Sequence, residues 1–352
     1  MLKPGFYVLL LAILLLGIPI QAQGGDPRES QLLTAPNQEN GQTEIMVGLF
    51  VTQIRDFDEQ SENFTIEAIL QLTWHDHRQS FDATAFGANS KFLVEIEIKR
   101  LMQLGAVWFP ELYITTQQGS KTIESQILQI DADGTMVYRE RFSATIQDST
   151  IDFHEFPFDR QMLQIPIESL IHPIDEVVLT IDEDFTGLGQ ELGIEDWLIE
   201  EFNVETLAYE EAWAHSEFSR FVYAMPASRR IEYYVFSVVV PLLLILVIAW
   251  ATFFLPDYDR RIDGAMGAML LIIAFQFTLN DDLPKLSYLT FFDTMMFITF
   301  FLTAFAVLVN IYGKWLVAHG NEKRGRQITR ILVWLFPLGF VCAIGVNAWL
   351  FL

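Results

Sequence analysis

Two carboxylates eighteen residues apart, Asp263 and Asp281, close the ends of the apolar run DGAMGAMLLIIAFQFTLND. At 3.6 residues per turn that spacing is five turns, so both acids share one helix face with Gly267, Leu270, Ala274 and Phe277. An ionised carboxylate turned toward hydrocarbon carries a large free-energy cost, so acids inside an apolar span normally face protein or water. One helix cannot enclose water, but several copies around a symmetry axis can. The chemistry is then selection rather than catalysis. Two carboxylate rings would favour cations, and the small or apolar middle could close by dewetting. The alternative leaves both aspartates at the two membrane interfaces, reaching into the headgroups.

Stepping along the whole chain, the charge divides sharply. Residues 23–228 hold 37 acids and 11 bases, whereas residues 229–352 hold 8 acids and 10 bases. So acidic a segment repels phosphates, which argues against nucleic acid as a partner. Lys3, the apolar core VLLLAILLLG and Pro19-Ile20-Gln21-Ala22 read as a signal peptide over residues 1–22, with an uncleaved anchor as the alternative. A polar segment follows over 23–42. The single cysteine, Cys342, leaves the exported domain to fold on its core without disulfides.

Residues 43–228 alternate in the β manner. TIEAILQLTW, FLVEIEI, TMVYRERFSATI, MLQIPIESL and EVVLTID are rich in β-branched and aromatic residues, and Asp133-Gly134 suits a tight hairpin. About ten such strands predict an all-β, immunoglobulin-like antiparallel sandwich. Residues 229–352 predict an all-α bundle of four membrane helices, 233–255, 262–280, 291–312 and 329–351. Arg260 and Arg261 lie between the first two helices. Lys314, Lys323, Arg324, Arg326 and Arg330 lie in or beside the link between the last two. Both loops therefore face the cytoplasm, and the β-domain and both termini lie outside. The expected location is a membrane, crossed several times.

Further stretches resemble the pentameric ligand-gated ion channels, in the bacterial branch of the Cys-loop superfamily. FHEFPFD contains the aromatic-Pro-aromatic-Asp core of the signature loop, Phe156-Pro157-Phe158-Asp159, with Ser149 and Leu163 where animal members have cysteines. Trp74-His75-Asp76-His77-Arg78 matches W-x-D-x-R, Trp108-Phe109-Pro110-Glu111 matches W-x-P-D/E, and Pro241 matches the proline of the first membrane helix. The resemblance runs in order from about residue 43 to the end. It implies a homopentamer around a central pore lined by the second helix, permeated by monovalent cations. An acid near the start of that helix is common in cation-selective members; here Asp259 and Asp263 flank Arg260 and Arg261, a departure from the usual order.

The resemblance also implies a small extracellular ligand, of unknown identity, bound between subunits under the hairpin LAYEEAWAHSEFSRF. Tyr209, Trp213 and Phe218 would form aromatic walls that attract ammonium groups, Glu168 a carboxylate partner, and Tyr113 a further wall. Leu170 replaces an aromatic found in some amine-responsive relatives. The same aromatics could instead only pack the hairpin. Coupling to the pore is implied for Phe156, Pro157, Asp159 and Arg229, with Asp58 or Glu59 completing the cluster and Pro284 in the link that the β-domain pushes.

His75 and His77 could pair on a metal but lack a third ligand, and the acids Asp182-Glu183-Asp184 could attract Ca²⁺ or another divalent modulator; solvated or packing roles are the alternatives. No cofactor is called for. An enzyme is disfavoured, since there is no P-loop, zinc motif or nucleophile elbow. The expected function is a ligand-gated, cation-selective channel opened by a small ligand, an ion or a pH change. An anion channel of the same fold and a membrane-anchored binding module are the competing readings.

Overall fold

The computed structural model of the chain describes residues 34–36, 41–59, 61–148, 150–169, 171–192, 194, 196–211, 214, 216–279 and 288–351. Residues 1–22 and most of 23–42 lie outside this set, as do Ser149, Leu170, Trp213, His215, Asp281 and Pro284.

Among the described residues the first part of the chain forms twelve strands: β1 (Thr43–Asp58), β2 (Asn63–His75), β3 (Ser90–Val94), β4 (Leu112–Ile114), β5 (Gln117–Asp131), β6 (Thr135–Gln147), β7 (Arg160–Ser169), β8 (Val177–Ile181), β9 (Gly187–Leu188), β10 (Trp197–Leu198), β11 (Asn203–Glu211) and β12 (Ser216–Arg229). Seven make one sheet in the order β3-β5-β6-β2-β1-β8, with β9 also on β1. Five make the other in the order β10-β12-β7-β4, with β11 also on β12. The period-two pattern explains the sandwich. In β6, Met136, Tyr138, Phe142, Ala144 and Ile146 are buried at alternate positions. In the second sheet, Phe221, Tyr223 and Met225 of β12 lie opposite Ile167, Ile165 and Leu163 of β7, and all six are buried. The residues that alternate with them, the flanking Arg220 and Glu168 included, therefore point to the other face. Asp133-Gly134 forms the β5–β6 turn, with Gly134 at φ +93° and the Asp133 carboxylate accepting the Thr135 N–H.

The stretch FLVEIEI does not form one strand. It ends β3 at Val94 and opens a helix, Glu95–Gln103. Its alternation is compatible with either period. The helix wins because Ile98 and Leu101 reach the core from one side, Glu95 and Lys99 pair four residues apart at 2.5 Å, and the Glu97 carboxylate accepts the Val94 N–H at 3.0 Å. It is α2, preceded by the short α1 (Ala83–Phe86).

Four helices long and apolar enough to cross a membrane follow: α3 (Glu232–Phe254), α4 (Tyr258–Leu279), α5 (Phe291–Ala318) and α6 (Glu322–Phe351). The first contains a π-helical segment, Val235–Val239, just before Pro241, whose missing N–H cannot continue the ordinary ladder. Helices α5 and α6 run further than apolarity alone predicts. Lys314 lies within α5, and Lys323, Arg324, Arg326 and Arg330 within α6, leaving only residues 319–321 between them. The polar extension holds as helix through local pairs such as Glu322–Arg326 at 2.9 Å. Two polar groups in the bundle find backbone partners: the Asn310 amide donates to the Ala306 carbonyl at 2.9 Å and the Trp250 indole to the Val333 carbonyl at 2.9 Å.

Candidate functional site

Strand register creates the junction between the two parts. Ser228 of β12 pairs with Arg160 of β7, so Arg229 and Asp159, one step further along each strand, fall side by side. Arg229 also lies opposite Trp197 of β10. Its side chain is only 1% exposed and its Nε donates to the Asp159 carboxylate at 2.9 Å, while a terminal nitrogen meets Glu59 at 2.6 Å. The guanidinium donates to the Tyr234 hydroxyl at 3.2 Å and lies 4.3 Å from the Trp197 ring and 4.6 Å from the Phe156 ring. Burial pulls the Arg229 pKa down, but the charges of Glu59 and Asp159 outweigh it and the net shift is upward. For Glu59 the balance falls the other way. Its own burial, with Asp159 and Asp196 nearby, raises its pKa despite Arg229. Of the two acids that could have joined the cluster, Glu59 arrives, while Asp58 holds the next turn by accepting from the Ser61 N–H and hydroxyl.

The loop between β6 and β7 rests on the helices through rings. Phe156, buried, meets Tyr234 at 5.1 Å and Phe292 at 5.8 Å, both edge-on, and Phe158 meets Phe291 at 5.5 Å. Pro157 follows Phe156 through a cis peptide. The Phe153 N–H donates to the Tyr288 hydroxyl at 3.0 Å. Pro284 lies outside the described residues.

On the outward face of the second sheet, four side chains form a row. Tyr113 of β4 lies opposite Glu168 of β7, Glu168 opposite Arg220 of β12, and Arg220 opposite Leu207 of β11. Tyr209 and Phe218 form the next outward-facing cross-strand pair. The Tyr113 hydroxyl donates to one Glu168 oxygen at 2.6 Å and Arg220 Nε to the other at 2.7 Å. The Arg220 guanidinium carbon sits 3.4 Å from the centre of the Tyr209 ring. Glu168 is fully buried, so it is a partner of Arg220 rather than an open carboxylate. Burial draws the Arg220 pKa down, but the bond and charge of Glu168 outweigh it and the net shift is upward. Phe218 is 4% exposed. Arg220 itself was not singled out by its sequence; its signal is that it lies two residues beyond Phe218, on the same strand face.

In α4 the buried side carries Arg261, Ala265, Ala268, Ile272 and Leu279 against the other helices. The opposite stripe holds Asp263, Leu270, Ala274 and Phe277, all exposed, with Leu270 at 65% and Phe277 at 76%. Gly267 is half-buried in the same stripe, and a Cβ there would meet nothing within 4 Å, so its small size leaves open space instead of serving a close contact. Asp259, one turn earlier, differs from this stripe: its carboxylate is taken by Lys314 of α5. Arg261 is turned inward, with Nε on the Leu255 carbonyl at 2.5 Å and a terminal nitrogen on the Thr329 hydroxyl at 3.0 Å. Asp281 lies outside the described residues.

Among the described residues no group of three or more His, Cys, Asp or Glu side chains is arranged to hold a metal. Asp182 is occupied internally, accepting from the Gln71 amide at 2.7 Å and the Phe185 N–H at 3.1 Å. The two aromatic motif segments meet in the core, where Trp74 lies edge-on to Trp108 at 6.2 Å. Arg78 binds the buried Asp76 through two nitrogens at 2.7 and 2.8 Å.

The family of neurotransmitter-gated ion-channel ligand binding domains matches residues 30–235. A proton-gated ion channel of Gloeobacter violaceus is 26% identical over 309 residues, covering 87% of this chain and 83% of the relative. The gamma-aminobutyric acid receptor subunit theta of Mus musculus is 22% identical over 84% of this chain and 46% of its own. A pH-sensitive chloride channel of Anopheles gambiae is 25% identical over 72% of this chain and 42% of its own. The chain thus spans about half the length of these animal relatives.

Proposed function

Because the chain belongs to the neurotransmitter-gated ion-channel family, whose members are ligand-gated channels and not enzymes, we propose that it forms a homopentameric, cation-selective channel in a bacterial inner membrane. The β-sandwich and both termini lie outside, and a small extracellular ligand or a change of pH or ion concentration opens the pore. Divalent cations such as Ca²⁺ are modulators, drawn by the acidic β-domain, and membrane lipids surround the outer helices.

The observation that carries this reading is the stripe of α4 turned away from its own bundle, with Asp263, Gly267, Leu270, Ala274 and Phe277 in line. Five such stripes around an axis line a path whose carboxylates concentrate cations and whose Leu270 to Phe277 section excludes water when narrow. Asp281 adds a second ring at the outer end. Movement of the β-domain reaches the pore through Arg229, Asp159 and Glu59 and through Phe156 set among Tyr234 and Phe292. The link containing Pro284 then tilts α4.

Acid is the first stimulus to apply, given relatives described as proton-gated and pH-sensitive. The test is voltage clamp in asymmetric NaCl, with Leu270→Cys probed by water-borne thiol reagents. A cation reversal potential and modification of the cysteine in the conducting state are expected; a cysteine that never reacts while current flows contradicts the pore assignment.

An anion-selective pore is the second reading. It draws on Arg260, exposed one turn before Asp263, and on the chloride-channel relative. The inward turn of Arg261 favours the cation reading, because it leaves Asp263 on the stripe without that competing charge.

A further inference from the structure

The outward row on the second sheet contains what a pocket for an organic cation needs, an aromatic face and a buried carboxylate, and both are already in use. Arg220 lies 3.4 Å from the centre of the Tyr209 ring and binds Glu168 at 2.7 Å. The second Glu168 oxygen accepts from Tyr113 at 2.6 Å. Glu168 is fully buried, so a free ammonium group reaches it only by displacing the guanidinium.

We propose that Arg220 is a tethered internal cation that fills this slot and makes it reject free amines and guanidines. The assignment rests on the reading of the β11–β12 hairpin as the ligand region, and it defines what that region excludes. Three physical effects support it. The attraction of a ring face for a cation is not specific to free ligands, and a planar guanidinium stacks on tyrosine better than an ammonium does. Arg220 is covalently held across from Glu168 by strand pairing, so a free competitor must overcome an effective concentration on the order of millimolar or more. Glu168 already has its compensating charge, so the slot has no uncompensated negative charge to draw in a second cation. Native ligands of the hairpin region are therefore expected to be neutral or acidic, or to bind beside this slot rather than in it.

Removing Arg220 should turn the slot into a receptor for the group it lost. In Arg220→Ala a buried carboxylate and an open tyrosine face remain, matched in size and charge to methylguanidinium and, less closely, to n-propylammonium. Isothermal titration calorimetry of both cations on the full detergent-solubilised chain tests this. Wild type should give no saturable heat up to about 10 mM, and Arg220→Ala saturable binding at least about tenfold tighter. Arg220→Ala/Glu168→Gln leaves no buried charge unpaired, so it covers the case in which the single variant fails to assemble. It should bind methylguanidinium more weakly than the single variant but more tightly than wild type. The proposal is overturned if wild type binds either cation as tightly as Arg220→Ala, or if assembled variants bind neither. Calorimetry needs no current, so binding as expected in a protein that never conducts would sink the channel reading while upholding the role of Arg220.

Discussion

The imidazole of His154 lies flat on the ring of Tyr288, with centroids 3.8 Å apart and planes 3° from parallel. His154 belongs to the loop between β6 and β7, and Tyr288 stands three residues before α5. The Tyr288 hydroxyl also accepts the Phe153 N–H at 3.0 Å, so one side chain is held by two consecutive residues of the loop. A stacked ring and a directional hydrogen bond together fix the loop against the start of α5.

Tyr288→Phe keeps the stack and removes the acceptor. Losing one partly buried hydrogen bond is worth about 1 kcal/mol, which corresponds to about fivefold in an equilibrium constant. The midpoint of the stimulus that opens the channel is expected to move by that factor. His154→Ala, which removes the stack, should shift it in the same direction. Unchanged midpoints in both variants would show that this contact is passive.

Arg229→Gln removes the charge that holds Asp159 and Glu59 together in a nearly water-free site. Taking one partner from a buried pair typically costs about 3–5 kcal/mol, because the remaining carboxylates lose their compensation. The junction lies at one end of the sandwich, so the variant should still elute at the wild-type position on size exclusion. Currents should vanish. Wild-type currents would remove Arg229 from the gating path.

Glu59 and Asp152 should give opposite pH dependences of stability. Burial raises the Glu59 pKa, so the folded protein holds that proton more tightly than the unfolded chain. Ionised Glu59 therefore weakens the fold above its raised value. Stability returns as pH falls through that value, until the unfolded carboxylate also protonates. The backbone and side-chain bonds from His154 hold Asp152 below its ordinary value, so its contribution is present above the ordinary carboxylate range and is lost as pH falls through the lowered value. Thermal melting against pH should show Glu59→Gln more stable than wild type near neutrality, with the gap closing on acidification. Asp152→Asn should be less stable near neutrality, with its gap closing at lower pH. Parallel curves for all three proteins would contradict these assignments.

Asp263→Asn tests selectivity without altering shape. On the proposed pore assignment, the reversal potential in asymmetric NaCl should move toward zero and single-channel cation conductance should fall. Asp259→Asn should do less, because Lys314 already compensates that charge. An equal effect of the two substitutions would place Asp259 in the ion path as well.

Periodicity was enough to define the architecture. Alternation at period two specifies sheets with one buried face, and runs of about twenty apolar residues specify membrane helices, since both patterns record which side of an element avoids water. The aspartate spacing likewise placed Asp263, Leu270, Ala274 and Phe277 on one side of α4. Periodicity was ambiguous at FLVEIEI, where two periods coincide and Ile98 packing decided, and at the ends of α5 and α6, where local ion pairs extend helix past the apolar stretch. Contacts between distant segments needed the tertiary structure. Strand register put Arg220 on Tyr209 and Glu168, a set of contacts that residue types alone did not show. Register likewise brought Arg229 against Asp159 and Trp197, and the path of the loop after β1 delivered Glu59 rather than Asp58. A sequence states which groups are charged; which charge neutralises which depends on distances of a few ångströms that only packing sets.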